Sequence, residues 1–63
     1  MTQNWPAQFE KHASQLNPDI RKKINEYLDN GMAVSVIALE IGVMVANVTA
    51  VYYADGHYMK GIE

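Results

Sequence analysis

Val34 to Tyr53 reads VSVIALEIGVMVANVTAVYY, and how these twenty residues fold decides the architecture of the chain. Valine-rich text suits strands as well as helices, so the spacing of the apolar positions has to arbitrate. Val34, Ile37, Ala38 and Ile41 fall at helical spacing. Gly42-Val43 interrupts the pattern, and Val48, Val51 and Tyr52 resume it. The stretch therefore predicts two short helices joined by a tight glycine turn, the second ending near Asp55-Gly56.

Upstream, Asp29-Asn30-Gly31 is a stop, because Asn and Gly both accept the left-handed conformation that closes a helix. Before it, Asn17 can cap a helix with Pro18 at its first position and Asp19 near its positive end. Ile20, Ile24, Tyr27 and Leu28 form the stripe that this helix buries. A first helix is expected from an Asn4 cap through Trp5 and Pro6 to about Leu16, with Trp5, Phe9, Ala13 and Leu16 on its apolar side. Downstream the reading divides. Val51 to Ala54 and His57 to Met59 flank Asp55-Gly56, a strong hairpin signal, while the same Gly56 could close a helix in the left-handed position. The helical spacing running through Val51 favours the helix end. The fold expected is all-α: one domain of about four helices, with residues 1–17 as the first, 18–30 as a supporting helix, 34–54 as the helical pair and 55–63 as a tail.

A chain of 63 residues buries only about 60% of its unfolded surface, and with no cysteine it has no disulfide or thiolate-metal staple. Good helix packing or self-association must compensate. Apolar residues make up 49% and charged residues 19%, which excludes a disordered segment. A net charge of −2 and a pI near 5.5 mean that any surface for nucleic acid has to be a local one. Met1 to Asn4 lacks a basic region leading into an apolar core, so a cytoplasmic chain is expected.

The Val34–Tyr53 stretch resembles the helix-turn-helix unit of small bacterial and phage DNA-binding proteins. Such a unit needs a small residue where its helices cross, and Ala38 stands there. It needs a glycine at the turn four residues later, and Gly42 stands there. Ile37, Ile41, Val43, Val48 and Val51 supply the inner apolar positions, and Gly31 to Val34, GMAV, is similar to the lead-in of many such units. With the supporting helix from Pro18 to Leu28 the resemblance covers about half of the chain.

It implies a small sequence-directed DNA-binding regulator of the phage or mobile-element type, acting on double-stranded DNA. Its recognition helix would run from Val45 to Tyr53 and present Met44, Val45, Ala46, Asn47, Thr49, Ala50 and Tyr53 outward. Asn47 and Thr49 would hydrogen-bond base edges, and the Val45 and Ala46 methyls would meet thymine. Arg21, Lys22 and Lys23, three of the five basic residues, would contact phosphates. The sequence departs from the family at two points: Met44 stands where a capping Ser is usual, and no Arg, Gln or Lys is placed to read bases. These departures open an alternative from another class, a helix-turn-helix fold that binds a protein through an apolar surface at Met44 and Val45 without nucleic acid. The basic run likewise has a plainer reading as a solvated face, with Lys22 and Glu26 at pairing distance along the helix.

A homodimer is expected, through Tyr52 to Ile62 or through Trp5 and Phe9. Trp5, Tyr52, Tyr53 and Tyr58 could stack on single-stranded bases, but aromatics at helical spacing in so short a chain more often build a core or an interface. His12 and His57 have no partner residues at metal-ligand or acid–base spacing, and no phosphate loop or nucleophile triad can be assembled, so neither an enzyme nor a cofactor is expected. A membrane span over Met32 to Ala54 is marginal. Its nine Val, Ile and Leu residues contribute roughly −4 kcal/mol, which Glu40 at about +3 and the polar residues offset.

Overall fold

The computed structural model describes residues 4–60. Four α-helices, α1 (Trp5–Ala13), α2 (Pro18–Asp29), α3 (Val34–Ile41) and α4 (Val45–Ala54), are followed by a 3-10 turn at His57–Met59. No strand occurs among the described residues, so Asp55-Gly56 ends a helix and the hairpin alternative falls away. Residues 1–3 and 61–63, among them the carboxy-terminal end of the expected dimer stretch at Ile62, lie outside the described residues.

The helix boundaries follow from local chemistry. Asn4 Oδ1 accepts the Ala7 N–H at 3.3 Å, and Asn17 Oδ1 accepts that of Asp19 at 2.8 Å, each relieving an unpaired donor at a helix start. The first helix is shorter than expected, ending at Ala13 instead of near Leu16. Its chain tightens there: Gln15 N–H donates to His12 O and Leu16 N–H to Ala13 O, three residues back, before Asn17 turns extended (ψ 132°) ahead of Pro18. The proline ring disfavours helical geometry in the residue before it, which explains the early stop. At the end of α2, Gly31 N–H donates to Leu28 O and Met32 N–H to Tyr27 O, a closure that requires the positive φ of +82° at Gly31.

Ala13, Ile24, Ile37, Val48 and Val51 are sealed from solvent, with Leu28, Ala38 and Ala50 nearly so, and every helix thus contributes to one core. α1 lies mainly on α4, while α2 packs on both α3 and α4. A second, aromatic layer joins α1 to α4: the Phe9 and Tyr53 rings stack with centroids 4.8 Å apart, Trp5 sits 5.2 Å from Tyr53, and Tyr58 lies 5.5 Å from it. These rings pack on one another, at separations where aromatic pairs attract. Trp5, Phe9 and Tyr53, expected as dimer or stacking surface, are thereby engaged within the chain. No helix among the described residues is long and apolar enough to cross a membrane, because Gly42 divides Met32–Ala54 into helices of 8 and 10 residues.

Candidate interaction surface

α3 and α4 form the helix-turn-helix that the spacing predicts. Gly42 takes φ +83°, and Val43 N–H reaches back across it to donate to Ala38 O at 3.1 Å. Ala38 itself is only 5% exposed, and small enough for α4 to pass close by. Met44 precedes α4 with extended backbone and no side-chain cap, as its thioether dictates.

What this unit shows to solvent is apolar. Leu39 is 85% exposed, Met44 69%, Val45 50% and Val36 46%. Val36 and Leu39 are three residues apart and share a face of α3, while Met44 and Val45 open α4. Glu40 is the only charged residue in the two helices.

The expected base-reading residues separate on folding. Val45 and Ala46 are exposed, and Asn47 and Thr49 are half-buried. Ala50 is not outward: it is 2% exposed, because α1 lies over that side of α4. Nor is Tyr53 free, since its ring is held between Phe9, Trp5 and Tyr58.

The expected phosphate contacts separate as well. Lys22 and Lys23 are exposed on α2. Arg21 instead turns inward: Nη1 and Nη2 donate to the two Glu10 oxygens at 3.1 and 2.9 Å, and Nε and Nη2 to the two Asp55 oxygens at 3.1 and 2.6 Å. With four of its five N–H donors committed to two bidentate carboxylates, this guanidinium is already neutralised where a phosphate would compete for it. Arg21 also fixes the basic run beside the carboxyl end of α4, whereas Val45 opens the other end. At 1.5 Å per residue the two are about 15 Å apart along the helix.

Asp55 anchors a network whose members stand far apart in the chain. Asn25 Nδ2 donates to Asp55 Oδ2 at 3.0 Å, which leaves Asn25 Oδ1 to accept from His57 Nε2–H at 2.6 Å. In the neutral ring that places the proton on Nε2, and the buried Nδ1 has no hydrogen bond, lying 3.7 Å from an Asp29 oxygen. Asp29 in turn accepts from Lys60. Arg21 holds the Asp55 carboxyl below the usual range against the opposing effect of burial, with Asn25 assisting, and it does the same to Glu10. Lys60 lowers Asp29. Burial pushes His57 down, Lys60 adds to that, and Asp29 and Asp55 oppose it.

The network ties α1, α2, the end of α4 and the 3-10 turn together. Among the described residues no cluster of His, Asp or Glu could hold a metal ion. The network's one trace in the sequence is Asp55-Gly56-His57, legible only as a turn, since the Asp55 partners on α2 lie 30 and more residues away. No known protein family, curated protein or solved structure matches this chain.

Proposed function

We propose that the chain is a docking module, a helix-turn-helix fold that binds another polypeptide through the apolar face of α3 and the start of α4. The observation that carries this reading is the exposure of Leu39, Val36, Met44 and Val45 on a unit whose one charge is Glu40. Four large apolar side chains left in water on so small a unit are unfavourable unless they are covered in use. The DNA reading keeps one specific support, the Ala38–Gly42 turn geometry. It loses Arg21 to Glu10 and Asp55, Ala50 to the core and Tyr53 to the aromatic layer. Phosphate neutralisation supplies most nucleic-acid affinity, and the cations that remain on α2 sit by the wrong end of the recognition helix.

Two measurements separate these readings. Affinity capture from its own host's lysate, with the bound protein identified, should yield a partner that is lost with Leu39→Asp and with Val45→Asp but retained with Lys22→Ala. DNA binding measured at two salt concentrations should give no steep salt slope. A steep slope that Lys22→Ala and Lys23→Ala reduce would overturn the docking module in favour of a DNA-binding regulator. The same face could pair with a second copy, and sedimentation of the parent beside Leu39→Asp reads that case directly.

A further inference from the structure

Between α1 and α4 the packing leaves a groove of about 240 Å³, lined by Phe9, His12, Ala46, Asn47 and Ala50. Its origin is the sequence of α4: Ala46 and Ala50 are one turn apart, and while α1 covers Ala50, the short side chain of Ala46 stays open to solvent. Phe9 supplies a ring wall. The His12 ring and the Asn47 carboxamide stand at its edge, and neither has a hydrogen-bond or ion-pair partner among the described residues. No carboxylate, lysine or arginine lines the groove.

The volume selects the occupant. It falls below the roughly 300 Å³ at which sites for drug-sized ligands begin, a size that suits a single ring system. A flat ring would lie on the exposed Ala46 methyl and against Phe9. Its polar edge would meet Asn47, which offers a donor and an acceptor side by side, and His12. No lysine or arginine stands in the lining to hold a phosphate, which favours an amino-acid ring over a nucleotide.

We propose that this groove seats one aromatic ring with a hydrogen-bonding edge, of the kind that Tyr and Trp carry. Ala46 and Asn47 follow Met44 and Val45 directly in α4, so one polypeptide docked on the start of that helix can reach both, and a Tyr or Trp side chain of the docked polypeptide is the occupant. The source of the ring rests on the docking reading above. Aromatic anchors in small pockets commonly dominate such interfaces.

The test is a two-dimensional amide NMR titration of the full chain with p-cresol and indole, which stand in for the Tyr and Trp side chains, and with toluene and adenosine. p-Cresol and indole should shift the amides of Ala46, Asn47 and Ala50, with toluene at least about fivefold weaker, as loss of one hydrogen bond implies. Ala46→Leu fills the groove at an exposed position and should abolish the shifts. Asn47→Ala should weaken p-cresol about fivefold and leave toluene unchanged. Leu39→Asp should leave ring binding intact. The proposal is overturned if toluene equals p-cresol, if adenosine alone binds, or if Leu39→Asp removes the binding. Ring binding in the groove beside a protein capture insensitive to Leu39→Asp and Val45→Asp would sink the docking face and keep the groove.

Discussion

At Gly42 the backbone sits at φ +83°, and a Cβ added there would meet nothing within 4 Å. The penalty for replacing it is therefore conformational and not steric crowding. Gly42→Ala should destabilise by about 1–2 kcal/mol, the left-handed penalty for an L-residue, Gly42→Asn by less, and Gly42→Val by more because a branched Cβ resists positive φ. Urea unfolding of the three variants checks the order, and an Asn variant as unstable as the Val variant would contradict it. This residue was legible because its reason is local: a glycine between two helical periodicities. Ala50 was not. On α4 alone Ala46 and Ala50 are one turn apart and look alike, and only the arrival of α1 buries one and leaves the other open. Arg21 was misassigned for the same reason, since composition shows a basic run but not the Glu10 and Asp55 that occupy its first member.

Along α3, neighbouring positions have opposite fates. Ile37 is sealed from solvent and Leu39, two residues on, is 85% exposed. Ile37→Ala should destabilise by about 2–4 kcal/mol, through lost transfer energy and a cavity among Ile24, Val48 and Val51. Leu39→Asp should change stability by no more than about 0.5 kcal/mol, as surface replacements do. Melting curves decide the pair. A large loss from Leu39→Asp would mean that the residue is already covered, as in a self-associated chain, and its melting temperature would then depend on concentration. The elements themselves were readable from periodicity and caps: all four helices begin where expected, after Asn4, after Asn17, at Val34 and after the Gly42 turn. The end of α1 was not, because the influence of Pro18 on Asn17 reaches back to shorten the preceding turn.

For the molecule as a whole, the polar network sets the response to acid. His57 has its native pKa below the ordinary 6.5, so below about pH 6.5 the unfolded chain binds more protons than the folded one and stability falls. Asp55, Asp29 and Glu10 are lowered from 3.8, 3.8 and 4.5, and the stability they contribute is present above those values and lost as pH falls through the native ones. Urea midpoints should therefore drop in two stages, one beginning near pH 6.5 and one below about pH 4. His57→Gln, which cannot titrate and can still donate to Asn25, should remove the first stage and leave the second. A parent whose midpoint is flat from pH 7.5 to 5 would contradict this assignment.

The aromatic layer also equips the chain with its own optical gauge. Trp5 is the sole tryptophan, and it lies 5.9 Å from Phe9 and 5.2 Å from Tyr53, at the seam between the first helix and the last. Its emission colour and its energy transfer from Tyr53 report whether that seam is shut, with no label attached. A partner that leaves α1 in place should hardly change the spectrum, whereas one that lifts α1 off α4 should shift it to the red and weaken the transfer, so a fluorescence titration reads the mode of engagement as well as its strength.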